Sequence, residues 1–227
     1  MMGKSMLVFG LAVWMVGCGG GGGVVPTPTP VPTPTPTPPI NRDQAVDMAA
    51  FILPSHPEDE QIGTFAYHRE GQTWYLFSWT AANAANYVTV ELDGDIWLTE
   101  DRTWGHNVGK FYHAPEGLLW AYRTMSIGDT AKDARTINVY WEADCRPVNS
   151  RTLSRTTTLV DHRYQDVAGF GTLEVVEMES EGEGYIYARG LGMMAWHDRT
   201  PGAPWQWADG IHKVTPPTPK PACQVVN

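Results

Sequence analysis

One pair of tryptophans lies where it could bind a ligand. Tryptophan is abundant, at 10 of 227 residues, and Trp205-Gln206-Trp207 falls in a Pro/Gly-rich stretch, residues 200–210. In an extended segment alternate side chains point the same way, so both rings would share a face, with Gln206 between them in sequence. Flat aromatic rings stack on the apolar C–H faces of sugar rings. These three residues are therefore a candidate saccharide site.

Tryptophan also has an ordinary structural role, because its large apolar surface fills a core or covers a sheet edge. Trp141 lies within an alternating apolar and polar pattern, which predicts a core position. For Trp205 and Trp207, packing and ligand binding both stay open.

The acidic and histidine side chains match no metal-binding motif. The chain has no His-x-His, His-Glu-x-x-His or Cys-x-x-Cys spacing, although His56 lies close to Glu58, Asp59 and Glu60. Four carboxylates surround one turn without the ligand spacing of a calcium loop, and we expect solvated turn residues there: Asp93, Asp95, Glu100 and Asp101. No metal and no cofactor are expected.

Hydrolytic chemistry has equally little support. A glycosidase needs two carboxylates about 5 to 10 Å apart across a cleft. The candidates are Glu91, Glu100, Glu116 and Glu142, and the sequence selects no pair. Gly-x-Ser-x-Gly is absent, and the acidic run at 174, 177, 179, 181 and 183 is typical of an exposed strand and turn. We expect a protein that is not an enzyme.

Strands must position these residues, because most of the chain alternates apolar and polar residues with a period of two. The pattern predicts strands over 63–68, 73–79, 88–92, 96–98, 117–123, 136–142, 154–161, 172–178, 184–189 and 193–197. A helix is predicted only over 43–53, capped by Asn41 or Asp43 and ended by Pro54. The expected fold is mainly β, an antiparallel β-sandwich or open barrel with one short N-terminal helix.

The turn Asp93-Gly94-Asp95 predicts a hairpin with two possible registers. A two-residue turn places Val90 opposite Trp97. A three-residue loop instead pairs Leu92 with Ile96 and Val90 with Leu98, which aligns more apolar pairs but places Gly94 where glycine is less needed.

The N-terminus combines Lys4, an apolar run over 6–16 too short to span a bilayer, and the segment Met15-Val16-Gly17-Cys18. This segment resembles the lipobox of bacterial lipoproteins, in which a signal peptidase cuts before the cysteine and lipid is attached to it. The resemblance implies a signal peptide over 1–17, lipid on Cys18 and attachment to the membrane. Gly19 in place of aspartate implies sorting to the outer membrane. Whether the protein lies on its periplasmic or its surface side stays open.

Composition divides the chain after the signal peptide into three segments. Residues 18–39 are Gly-rich and then Pro/Thr-rich, as in a tether. A Pro/Thr repeat favours extended polyproline II. A single β-rich domain is expected over 40–215, followed by a Pro-rich tail over 216–227. With Cys18 lipidated, Cys145 and Cys223 remain as an even pair, for which a disulfide is expected in an oxidising compartment.

A local resemblance supports the β-fold. Residues 185–196, Tyr-Ile-Tyr-Ala-Arg-Gly-Leu-Gly-Met-Met-Ala-Trp, are similar to a hairpin near the C-terminus of many secreted bacterial β-proteins. The resemblance implies a structural role for Gly190 and Gly192, in a bulge or in close packing.

A formal net charge of -9 argues against nucleic acid as a partner. The sequence thus predicts a lipid-anchored binding or structural module of the cell envelope, with an envelope glycan at Trp205 and Trp207 or an envelope protein as partner. An assembly lipoprotein is the alternative, and a glycan hydrolase is less favoured.

Overall fold

Strands account for most of the regular structure. The computed structural model describes residues 39–79, 85–105, 108–216, 218, 219 and 223, without the side chains of residues 79, 85–91, 104 and 105. One helix, α1, covers Ala49–Ile52 in these residues. The strands β1 to β8 are Val46–Asp47, Glu60–Ile62, Phe65–Glu70, Thr73–Trp79, Ala85–Asp93, Asp95–Gly105, Lys110–Ala121 and Thr124–Met125. The strands β9 to β15 are Thr130–Trp141, Pro147–Val167, Gly171–Ser180, Glu183–Ala188, Gly192–His197, Gln206–Trp207 and Ile211–Lys213.

Within these residues, a 13-stranded antiparallel sheet has the order β14-β13-β12-β11-β10-β9-β7-β6-β5-β4-β3-β2-β15, and β1 pairs with β8 separately. Its two outermost strands, β14 and β15, follow one another in the chain. Residues 206–213, which we name the closing segment, therefore pair with β13 at one end and with β2 at the other. Two backbone hydrogen bonds reinforce these contacts, from Ala208 N to Met194 O and from Gly63 N to Gly210 O, each 2.8 Å. The predicted mainly β, antiparallel fold is confirmed.

The hairpin of β5 and β6 has the three-residue register. Leu92 pairs with Ile96 and Val90 with Leu98, so the alternative that aligns more apolar residues is the one formed. Gly94 adopts a φ of 74° at the centre of the loop. The glycine is therefore needed in this register too, because that backbone conformation is costly for other residues.

The predicted helix over 43–53 is wrong in extent, since only Ala49–Ile52 is helical. Val46 and Asp47 pair with Met125 and Thr124 instead, and Met48 N donates to Arg123 O. Asn41 caps a turn by accepting a hydrogen bond from Asp43 N, and neither residue caps α1. Tertiary pairing of the first half of the segment has overridden its local helical pattern.

The largest core cluster lies against α1. Met48, Phe51 and Ile52 contribute side chains that are at most 2% exposed. They pack with apolar residues from strands of both halves of the sheet, among them Tyr67, Trp74, Leu98, Trp120, Met178 and Tyr187. A second cluster lies near the closing segment, where Ile62 and Ala208 pack with Ile186 and Met194.

Gly190 and Gly192 connect β12 and β13, and both pack closely against the segment after α1. A Cβ atom on Gly192 would lie 2.8 Å from Pro54 Cγ, and one on Gly190 would lie 3.1 Å from Ser55 Oγ. Gly190 N donates to Ala50 O and Ser55 N donates to Gly190 O. The close-packing role expected for these glycines agrees with this geometry.

A disulfide joins Cys145 to Cys223, whose Cα atoms lie 5.4 Å apart. It connects the turn after β9 to a position beyond the closing segment. The predicted signal peptide, Cys18 and the tether apart from Pro39 lie outside the described residues, and so does much of the predicted tail. No helix in the described part of the chain has the length and hydropathy needed to cross a membrane.

Candidate functional site

The predicted tryptophan site lies on the closing segment. Gln206 and Trp207 form β14, opposite Trp196 and Ala195 of β13. The Trp205 and Trp207 rings lie side by side, with centroids 6.4 Å apart and planes inclined by 46°. Trp207 is 37% exposed and Gln206 is also exposed, so this end of the site is open to a ligand.

Trp205 is held more tightly than Trp207. Its ring is half-buried against the second core cluster and lies edge-on to His197, with centroids 4.5 Å apart. A Cβ atom on Gly184 would lie 2.8 Å from Trp205 Cη2. Trp205 therefore serves as a packed neighbour, and the open aromatic surface is that of Trp207.

The four carboxylates around the 93–101 turn do not form a common site. Asp95 accepts a hydrogen bond from Arg123 N, whereas Asp101 accepts one from Thr103 N. Glu100 and Asp101 are only 6% and 8% exposed, so the prediction that they are solvated is wrong for these two. No group of three or more His, Cys, Asp or Glu in the described residues is arranged to hold a metal ion.

Glu100 belongs to an ion pair inside the fold. Its Oε1 accepts a hydrogen bond of 2.6 Å from Arg102 Nε, and the two side chains are 8% and 2% exposed. The Arg102 guanidinium also lies 4.0 Å from the centre of the Phe111 ring. This pair is buried structure, not a group presented to a substrate.

A buried polar and aromatic group lies elsewhere in the sheet. The Arg155 guanidinium lies 5.0 Å from the Trp120 ring centre, and Trp120 meets Tyr185 edge-on. Burial raises the pKa of Tyr112, Tyr185 and Tyr187, so these phenols stay protonated. The burial of Tyr112 and Tyr187, which are 0% and 3% exposed, indicates that they pack inside the fold.

His56 is close to Glu58 in sequence, but a different histidine contacts that carboxylate. His68 Nδ1, not His56, lies 2.7 Å from Glu58 Oε2. Burial acts to lower the pKa of His68, but its hydrogen bonds to Glu58 and Glu70 outweigh burial and raise that pKa. Burial lowers the pKa of His56, whose ring lies edge-on to Tyr67.

A groove of about 610 Å³ opens beside α1. Its walls come from β1, α1 and the residues after it, β3, β4 and β5, and the segments that follow β7 and β12. The apolar part of the lining includes Ala50, Leu53, Tyr67 and Trp74. The charged lining residues are Asp47, Glu58, Arg69, Arg123 and Arg189.

The two carboxylates of this groove are both engaged with cationic or titratable partners. Asp47 pairs with Arg123 at 2.7 Å, and Glu58 pairs with His68 at 2.7 Å.

The carboxylates that the sequence offered for glycoside hydrolysis lie elsewhere. Glu100 is in the buried pair, Glu116 pairs with Arg135, Glu142 follows β9, and the Glu91 side chain is outside the described residues.

Glu174 is the most strongly engaged residue of the acidic run. Its Oε2 accepts from Arg189 Nε at 2.6 Å, and its Oε1 accepts from Arg189 Nη2 and lies 2.9 Å from His162 Nε2. The run was predicted to be an exposed strand and turn, but Glu174 is half-buried in this network. The Arg189 hydrogen bonds lower the pKa of Glu174, although burial opposes them.

The ionisation of Glu174 should make the free energy of unfolding depend on pH. Because its pKa is lower in the folded state, its contribution is present above the ordinary value of 4.5 and is lost as the pH falls through the folded value. The free energy of unfolding lost in Glu174→Gln should therefore be larger at pH 7 than at pH 3, in urea titrations of the full-length protein.

The matched control is Glu179→Gln. Glu179 is exposed on the same strand and has no ion pair in the residues that the structure describes. Its replacement should change the unfolding free energy little at either pH. A loss in Glu174→Gln that is equal at pH 7 and pH 3 would contradict the role assigned to its charge.

No known protein family, curated protein or solved structure matches this chain. The candidate sites therefore stand on their own geometry: the open Trp207 surface and the groove beside α1. The first is visible in the sequence, whereas the second is not, because the lining arginines share no local motif.

Proposed function

We propose that this protein is a lipid-anchored module of the cell envelope that binds saccharide at the Trp207 surface. The observation that carries the proposal is the exposed Trp207 ring beside the packed Trp205 ring, with an exposed Gln206 on the same strand. A sugar face can stack on Trp207, whereas the Gln206 side chain, as the next residue of the same strand, points to the other face and is not needed for that stacking.

The fixed position of the ring favours binding. Backbone pairing of β14 with β13 and packing of Trp205 against His197 restrain the segment before a ligand arrives. A ligand that meets an ordered side chain loses less free energy in ordering it. The 46° inclination gives the two rings a shallow angled surface instead of a flat one.

The lipobox-like sequence and the tether support the location. Lipid on Cys18 would attach the chain to the membrane, with the outer membrane as the proposed site. A Pro/Thr-rich sequence favours polyproline II, which rises about 3.1 Å per residue, so 16 such residues would reach roughly 50 Å. That distance favours an envelope polymer as ligand over the bilayer itself.

Replacing Trp207 should abolish most saccharide binding. In Trp207→Ala, retention on insoluble peptidoglycan and on common insoluble polysaccharides should fall by about tenfold or more, because loss of one stacked ring costs about 1–3 kcal/mol. Trp207→Phe should retain part of the binding. The measurement is a depletion assay with full-length protein in detergent.

The control is Ile211→Ala, which removes an exposed apolar side chain of the same closing segment. It should leave saccharide retention unchanged. If no polysaccharide depletes either the wild type or Trp207→Ala from solution, the proposal is contradicted.

An assembly lipoprotein with a protein partner is the second candidate. It is favoured by the closing segment, which exposes both Trp207 and Ile211, at 37% and 52%. An apolar protein contact would use both side chains. Mild crosslinking in cells should then join one envelope protein to the wild type, and both alanine variants should lose it.

A further inference from the structure

We propose that the groove beside α1 binds an anionic ligand that carries at least two carboxylate or phosphate groups, through Arg69, Arg123 and Arg189. This site is separate from the Trp207 surface and does not depend on saccharide binding there. Such a ligand is favoured by the partners of each arginine, by the charge of the lining and by the indole N–H of Trp74.

Arg69 is the most available of the three. It forms no ion pair in the described part of the chain, and its Nε donates to Gly71 O at 2.9 Å. Its guanidinium lies over Trp74, 4.4 Å from the ring centre. These contacts fix the plane of the guanidinium while both Nη groups remain without a protein acceptor among the described residues, which is an ordered donor set for an anion.

Arg123 and Arg189 also each have one guanidinium nitrogen available to a ligand. Each uses Nε and Nη2 to hold one carboxylate, Asp47 for Arg123 and Glu174 for Arg189. In both, Nη1 has no acceptor within the residues that the structure covers. The two side chains are 43% and 49% exposed. The paired carboxylates orient the guanidinium groups, so a ligand need not order them.

The charge of the lining differs in sign from that of the protein. Three arginines and two carboxylates line the groove, whereas the chain has a formal net charge of -9. Most of the protein surface therefore repels an anion. The groove concentrates donors that attract one, and a concave site with low-dielectric walls strengthens that attraction.

Trp74 supplies an independent observation. It lines the groove, is 6% exposed, and its indole N–H is buried without an acceptor in the described residues. An unpaired buried donor costs about 1–3 kcal/mol. A ligand oxygen in the groove that accepted from this N–H would remove that cost.

The lining also indicates what lies between the anionic groups. Ala50 and Leu53 place apolar surface within the same groove as the arginines. The groove volume, about 610 Å³, suits a compact organic anion better than a single inorganic ion. Guanidinium forks bind carboxylate and phosphate alike, so both chemistries enter the test.

Calorimetric titration of full-length protein in detergent, at low and constant ionic strength, tests this site. Citrate probes a polycarboxylate and pyrophosphate a polyphosphate, while acetate and glycerol are the single-charge and neutral comparisons. We expect citrate, pyrophosphate or both to bind, with acetate at least tenfold weaker and glycerol without detectable heat. If neither polyanion binds, or if acetate binds as tightly, the proposal fails.

Arg69→Gln is the decisive variant, because it removes a charge that pairs with no carboxylate among the described residues. It should weaken binding of the polyanion by about tenfold or more, since a hydrogen bond to a charged group contributes about 1.5–3 kcal/mol. Arg69→Lys should restore only part of the affinity, because lysine lacks the fork.

Arg146→Gln is the matched control, since Arg146 is an exposed arginine outside the groove. It should bind as the wild type does. Equal weakening in Arg146→Gln and Arg69→Gln would overturn the proposal in favour of general charge attraction. Trp207→Ala should keep full polyanion binding, so this result is separable from the saccharide assay.

Discussion

Glu100→Ala should lower the free energy of unfolding by about 3–5 kcal/mol, because it removes one partner of a buried ion pair. The cause is the depth of the pair: Glu100 and Arg102 side chains are 8% and 2% exposed and are joined at 2.6 Å. Urea unfolding of full-length protein at pH 7 measures the loss.

Two further variants make this prediction specific. Glu116→Ala removes the carboxylate of an exposed pair with Arg135, where Glu116 is 77% exposed, and should cost less than about 1 kcal/mol. Glu100→Leu combined with Arg102→Leu should recover much of the loss, because apolar residues can replace a buried pair. A Glu100→Ala loss no larger than that of Glu116→Ala would contradict the assignment.

The sheet was predictable because its signal is local. A strand buried on one face alternates apolar and polar residues whatever its partners are, and the predicted strand over 73–79 coincides with β4, Thr73–Trp79. The hairpin register was also decided locally, since Leu92 and Ile96 gain an apolar partner only in one alignment.

Predictions failed where distant parts of the chain decide the outcome. Ala45, Val46, Ala49 and Ala50 have helical spacing, yet Val46 pairs with Met125, which is far away in sequence. Glu100 and Arg102 were also missed, although oppositely charged residues two apart point to the same side of a strand. That spacing is the sequence signal for a pair on one side of β6, although the register shift between Leu98 and Glu100 separates the pair from the alternation of Ile96 and Leu98.

The groove could not have been found from sequence, because its arginines come from three separate places. Arg69 is in β3, Arg123 follows β7, and Arg189 follows β12. Only the order of strands in the sheet and the position of α1 bring them to one groove. The tryptophan surface was visible earlier because Trp205 and Trp207 are neighbours in sequence.

Removing the disulfide should be the other large loss of stability. The double variant Cys145→Ser, Cys223→Ser should lower the free energy of unfolding by up to about 4–5 kcal/mol in the chain-entropy relation, because the bridge closes a loop of 78 residues. Cys223 lies beyond the closing segment, so the bridge also restricts how far that segment can separate from β2 and β13.

Urea unfolding with and without reductant separates the effect of the bridge from that of the serines. Reductant should destabilise the wild type to nearly the level of the double variant, and should leave the double variant unchanged. Amide hydrogen exchange should rise first at Gln206–Trp207 and Ile211–Lys213, because these short strands hold the sheet edges with few hydrogen bonds. Unchanged exchange there, together with a full loss of global stability, would mean that the bridge acts on the unfolded chain alone. If reductant changes neither the free energy of unfolding nor the exchange at these strands, the bridge does not stabilise the closing segment, and its pairing with β2 and β13 holds it unaided.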